Sequence, residues 1–125
     1  MTPVSTSEAP AAVGPYSQAV RTGNLLFVSG QLPIDPATGE FAAPDAVGQM
    51  RQCMANIAAI AREAGTDISR TVKTTILLTD LGGFAAINDE YAKAFKEPHP
   101  ARACYEVSAL PKGAQVEVEA VIEIA

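Results

Sequence analysis

The chain has no tryptophan and one histidine, His99, among its 125 residues. A Ser-His-Asp triad would have to be built on that residue, which is wedged between Pro98 and Pro100, so this chemistry is a poor reading. The two cysteines, Cys53 and Cys104, lack metal-ligand spacing and cannot make a disulfide framework, which fits a reducing compartment. No run of large aliphatic or aromatic residues is longer than Leu25-Leu26-Phe27-Val28, far too short to cross a bilayer. The N-terminus has neither a basic start nor an apolar signal core, and a soluble, cytoplasmic protein with no membrane partner is expected. Positive charge is scarce as well: nine Lys and Arg stand against fourteen Asp and Glu, a net charge of −5. No basic run concentrates the nine, so a phosphate backbone is repelled and nucleic acid is not an expected partner.

What is present describes one globular domain over residues 1–125, 48% hydrophobic and 18% charged, with room for a single core. Met1 to Val13, rich in Thr, Ser, Ala and Pro, is expected to be extended or loose until something pins it. Ala19-Val20-Arg21 and Leu25 to Ser29 flank Thr22-Gly23-Asn24, a hairpin turn in which Gly and Asn tolerate positive φ. Pro33, Asp35-Pro36 and Thr38-Gly39 then mark a looped segment.

The first helix is expected from an Asp45 N-cap to a Gly65 stop, with Val47, Met50, Met54, Ile57, Ala61 and Ala64 recurring every three or four residues. Cys53 lies beside that stripe and reads as a small buried hydrophobe. Thr71 to Thr79 is β-branched and aliphatic, hence a strand. A second helix from about Gly83 to Phe95 presents Phe84, Ile87, Tyr91 and Phe95, with Asn88 at the edge of the stripe, where a polar group needs a partner.

The C-terminal third carries the chemistry. After Arg102 the apolar Ala103, Tyr105, Val107 and Ala109 alternate with Cys104, Glu106 and Ser108. Val116, Val118, Ala120, Ile122 and Ile124 alternate with Gln115, Glu117, Glu119 and Glu123. The Leu110-Pro111-Lys112-Gly113 turn between the two predicts an antiparallel hairpin that brings Arg102 and Glu117 to one end of the sheet. The expected fold class is α+β, a two-layer sandwich with both helices on one face of a mostly antiparallel sheet. The opposite face is only partly polar, which favours burial against copies of the same chain.

Five stretches in order, Gly14-Pro15-Tyr16-Ser17-Gln18-Ala19, Val28-Ser29-Gly30-Gln31-Leu32-Pro33, Val72-Lys73-Thr74-Thr75, Phe84 through Asn88, and Pro100-Ala101-Arg102-Ala103-Cys104 with Leu110-Pro111-Lys112-Gly113, resemble the RidA/YjgF/UK114 family. The resemblance covers nearly the whole chain, from about Ala9 onward. It implies a chorismate-mutase-like fold with a six-stranded sheet, assembled as a homotrimer with clefts between subunits. The implied activity is hydrolysis of reactive 2-imino acids or their enamine tautomers, such as 2-iminopropanoate and 2-iminobutanoate, to 2-keto acids and ammonia, with no metal or organic cofactor. Arg102 matches the family's substrate-binding arginine and Glu117 its acidic residue for the attacking water; both are assigned as catalytic. Tyr16, Ser29, Asn88 and the backbone N–H of Cys104 match binding positions around the cleft. His99 departs from the pattern, because the family commonly has an aromatic or large apolar residue before Pro-Ala-Arg, and an altered pocket rim is expected.

The residues suit that chemistry. A guanidinium holds a carboxylate through two parallel charge-assisted hydrogen bonds, and a carboxylate can orient water against an electrophilic C=N carbon. Blander roles stay open beside each: Arg102 as a surface ion-pairing group, Glu117 as part of a solvated face, Tyr16 as packing, Ser29 as a turn cap, Asn88 as a local hydrogen bonder. A small-carboxylate-binding or holdase-like trimer without turnover is the alternative function. A ribonuclease or translation inhibitor, also ascribed to the family, is opposed by the acidic charge.

Overall fold

Asp45 starts the long helix α1, Ala46–Glu63, because its carboxylate accepts from Gly48 N–H and satisfies one of the donors left open at a helix start. Gly65 stops it at φ +81°, a left-handed position that needs no side chain, and Thr66 N–H returns to Ala61 O. In this computed structural model, which describes residues 1–124, α1 lies across a six-stranded sheet beside the shorter helix α2, Phe84–Ala92. The strands are β1 Thr2–Val4, β2 Ala19–Thr22, β3 Leu25–Gln31, β4 Thr71–Leu78, β5 Ala101–Glu106 and β6 Val116–Glu123, in the spatial order β1-β2-β3-β6-β4-β5. All neighbours are antiparallel except β4 and β5, which are parallel. The class is α+β, as expected.

Four expectations are corrected. The hairpin between β5 and β6 does not form: β5 pairs with β4, and β6 inserts between β3 and β4. Parallel neighbours require a crossover, and α2 supplies it between β4 and β5. The Leu110–Gly113 turn, held by Lys112 at φ 59° and Gly113 at φ 73°, then delivers the chain to the far side of β4. The strand with the cleanest apolar alternation takes a central place, and the strand with Arg102 and Glu106 takes the edge, where charge guards unpaired backbone groups.

The second correction is one of side. Arg102 stands in register with Thr74, and Cys104 with Ile76, both on the helix-covered face, so Ala103 and Tyr105 point the other way and Tyr105 is 58% exposed. The third concerns the N-terminus, which is pinned. β1 pairs with β2, while buried Gln18 accepts from Thr6 N–H and donates to Ala9 O and Pro10 O. Helix α2 ends at Ala92 rather than Phe95.

The core lies between sheet and helices. Leu26, Val28, Ile76, Leu78, Val116, Val118 and Ile122 meet Met50, Cys53, Ile57 and Ile60, all buried. Each fully buried aliphatic side chain contributes about 1.5–3 kcal/mol. The thiol of Cys53 donates to Gln31 O at 3.1 Å, consistent with a small buried group tying α1 to β3. Among the described residues the other sheet face carries no helix. Val20, Phe27, Ser29, Lys73, Thr75, Glu119 and Val121 line a shallow cavity of about 310 Å3 there, and Phe27 is 43% exposed.

Candidate functional site

The six residues singled out in the sequence divide between the two faces. Glu117 stands in register with Leu77 on β4, and its sequence neighbours Val116 and Val118 fill the core, so its side chain rises from the uncovered face. Arg102 rises from the other. The two are also three register positions apart along β4 and on either side of it. Within one chain they are not neighbours, which overturns the hairpin expectation at the level of the site.

On the uncovered face, Glu117 lines a cavity of about 640 Å3 with Tyr16, Ser29, Gly30 and Lys112. Its floor follows from an irregularity: the pairing of β3 with β6 shifts register between Val28 and Gln31, and Gly30 sits in the shift. A methyl group on Gly30 would come within 2.7 Å of Glu117 Oε2, so the missing side chain is what lets the carboxylate lie against the β3 backbone. Burial pushes the Glu117 carboxyl above the ordinary glutamate value, and the negative charge of Glu119 adds to the shift. Among the described residues no ion pair engages Glu117.

Ser29 Oγ donates to Ser17 O at 2.6 Å, which commits its proton to tying β3 to the segment before β2 and leaves its oxygen as an acceptor. Tyr16 is 54% exposed at the cavity edge, and its hydroxyl accepts a long bond from Val13 N–H. Apolar Pro10, Ala11, Val13, Leu32, Ile34 and Pro111 complete the wall.

On the helix-covered face, at the sheet edge, Arg102 Nη1 donates to Asn88 Oδ1. The partner that Asn88 requires at the edge of its stripe is therefore the arginine. The guanidinium carbon lies 5.4 Å from the Phe84 ring centre and 5.2 Å from that of Tyr91, cation–π distances from residues seven positions apart on one side of α2. Cys104 is two residues on along the same side of β5. Burial pushes its thiol up, an effect Arg102 moderates, and this disfavours the thiolate form. As the outermost strand, β5 also has an edge with no neighbour among the described residues, and backbone donors such as Cys104 N–H belong to such an edge. His99 is exposed.

Residues 6–124 match the family model described as Endoribonuclease L-PSP. The chain belongs to this family. It is the RidA/YjgF/UK114 family that the motifs resemble. The chain is 69% identical over 122 residues to a RutC family protein of Sinorhizobium fredii, covering 98% of this chain and 97% of that protein. It is 48% identical to a 2-iminobutanoate/2-iminopropanoate deaminase of Capra hircus, covering 94% of this chain and 86% of that protein. Among solved structures it superposes on Escherichia coli TdcF with bound serine at a TM-score of 0.93 and 38% identity, covering all of both chains. Imine deaminase activity is thus named for some relatives of this chain, and a small amino-acid ligand for one.

Three features of these two clusters were missed in the sequence. Gly30 carried a signal, since an isolated glycine in a strand marks a bulge or a close approach. Phe84 and Tyr91 were placed in the core stripe without their arginine, because the hairpin expectation sent Arg102 elsewhere. Among the described residues no helix is long and apolar enough to cross a membrane, and no group of three or more His, Cys, Asp or Glu is placed to hold a metal ion.

Proposed function

We propose that the chain hydrolyses 2-imino acids, or their enamine tautomers, to 2-keto acids and ammonia, at clefts in which the Arg102–Asn88 half of one copy faces the Tyr16–Ser29–Glu117 half of another, assembled as a homotrimer. The observation that carries this reading is the Glu117 carboxyl, half-buried, raised in pKa and, among the described residues, outside any ion pair, in a cavity with a largely apolar wall. Such a carboxyl takes up a proton more readily than an ordinary glutamate and can return it. The exposed, partly apolar uncovered face gives a second copy something to bury, and the relatives named as deaminases supply the reaction class.

The chemistry balances with these groups alone. Arg102 and Cys104 N–H hold the substrate carboxylate. Glu117 takes a proton from water as the oxygen attacks the C=N carbon; the π electrons move to nitrogen, and Glu117 returns that proton to nitrogen to give a neutral carbinolamine. Proton transfer from oxygen through Glu117 to nitrogen then forms C=O and expels ammonia. A protonated imine is already electrophilic, so positioning supplies much of the acceleration.

The test is an assay in which an amino-acid oxidase generates 2-iminobutanoate and semicarbazide traps what survives. Wild type shortens the imine lifetime, whereas folded Arg102→Ala does not. Equal lifetimes for wild type and buffer would leave a carboxylate-binding trimer as the reading. The ribonuclease implied by the family model's description finds no support in a chain of net charge −5, and RNA incubated with the protein is expected to stay intact.

A further inference from the structure

We infer that Thr74, Tyr91 and Phe84 form a positioning device for Arg102, one that holds the guanidinium so that an open edge of its donor fork faces a substrate carboxylate. The inference deepens the deaminase reading and rests on it for its kinetic part. Three elements converge here. Thr74 on β4 is the register neighbour of Arg102 on β5, and Tyr91 of α2 reaches between them, its hydroxyl 2.7 Å from Thr74 Oγ1 in a buried hydrogen bond. Tyr91 is 5% exposed and is braced on its other side by Phe95, with ring centres 5.0 Å apart. Its ring therefore has little freedom to rotate or slide.

Phe84, seven residues earlier, presents its own ring to the same guanidinium from the same stripe, and Asn88 lies between the two. The two rings and the amide locate the cation without consuming its donors. Ring contacts act on the charge, and Asn88 accepts from Nη1 alone, so among the described residues the Nε and Nη2 edge has no hydrogen-bond partner. A long, rotamer-rich side chain on an edge strand would otherwise lose that freedom when it binds a ligand. Thr74 and Tyr91 touch no substrate in this scheme. They act through Arg102.

The experiment uses the intact oligomer and titrates 2-oxobutanoate by calorimetry, with Tm and imine turnover measured alongside, for wild type, Phe84→Leu, Tyr91→Phe, Thr74→Val and the Thr74→Val/Tyr91→Phe double variant. Phe84→Leu and Tyr91→Phe are expected to weaken 2-oxobutanoate binding by roughly fivefold each, the scale of a cation–π contact or its alignment, with a larger loss in KM than in kcat. Tyr91→Phe leaves a buried threonine hydroxyl unpaired and lowers Tm; the double variant leaves neither hydroxyl and recovers Tm. Recovery of Tm with persistently weak binding supports positioning. Recovery of binding in step with Tm, binding within about twofold of wild type in both ring variants, or failure of wild type to bind 2-oxobutanoate overturns it. If wild type binds 2-oxobutanoate but does not shorten imine lifetime, the deaminase reading falls while the binding data still decide the positioning claim.

Discussion

The two charged halves of the candidate site are built on opposite plans. Arg102 is surrounded by contacts that do not neutralise it: two aromatic faces, one amide, and a buried Thr74–Tyr91 bond behind them. Glu117 makes no ion pair among the described residues, is half-buried, and lies against a glycine that makes room for it. A carboxylate anchor works best when held still and charged, whereas a proton carrier needs a pKa near the working pH. The first wants company and the second wants isolation. Placing them on opposite faces of one sheet lets each environment exist without spoiling the other, since an Arg102–Glu117 ion pair within one chain would lower the carboxyl and occupy the fork.

The largest expected effect comes from breaking the proton carrier. Glu117→Gln lowers kcat by about 10²- to 10⁴-fold, the range of general acid–base catalysis, measured as imine lifetime with a folded oligomer confirmed by sedimentation. If the halves belong to different copies, co-refolding inactive Arg102→Ala with inactive Glu117→Gln in equal amounts restores activity to about a quarter of wild type, because one interface in four then joins two intact halves. No recovery after verified mixing would place both halves of a working site in one chain.

Gly30→Ala comes next. The added methyl pushes against the Glu117 carboxylate, and a displacement on that scale costs about 10- to 100-fold in kcat while the fold stays intact. An alanine variant with wild-type rate would show that the close approach is incidental.

The smallest effects are on pH. If Glu117 is the carboxylate base of the proposed reaction, activity falls as pH drops through its folded pKa, which lies above the ordinary glutamate value. Glu119→Gln removes a neighbouring negative charge and moves that acid limb to lower pH. Stability carries the matching sign. A carboxyl with a raised folded pKa contributes stability below its unfolded pKa and loses that contribution as pH rises through the folded one, so Glu117→Gln raises Tm at pH 7 by about 1–3 °C. A fall in Tm there, or an unmoved acid limb in Glu119→Gln, breaks the contrast between the two halves.

Much of the fold was legible where local chemistry is strong. Asp45 and Gly65 bracket α1 because capping and left-handed backbone are decided by neighbours in sequence, and the alternation from Val116 to Ile122 identified a strand and its core face. Asn88 announced that it needed a partner. The pairing of β5 was not legible, since its weak alternation fits either side, and Arg102 as a long side chain tolerates both. Residues 1–13 offered no periodicity, and what pins them is Gln18, a residue whose hydrogen bonds run to segments eight to twelve positions away.

The sequence by itself determined the two-layer α+β class, the limits of α1, and the strand over Val116–Glu123 with its core face. These follow from spacing, capping and side-chain chemistry over a few residues. Only the tertiary structure decided that β6 lies between β3 and β4, that Arg102 rests on α2 while Glu117 faces away from it, and that Gly30 makes room for the carboxylate. Strand order is chosen by global burial, through α2's crossover and the better apolar face of β6, and such a choice leaves no local mark in the chain.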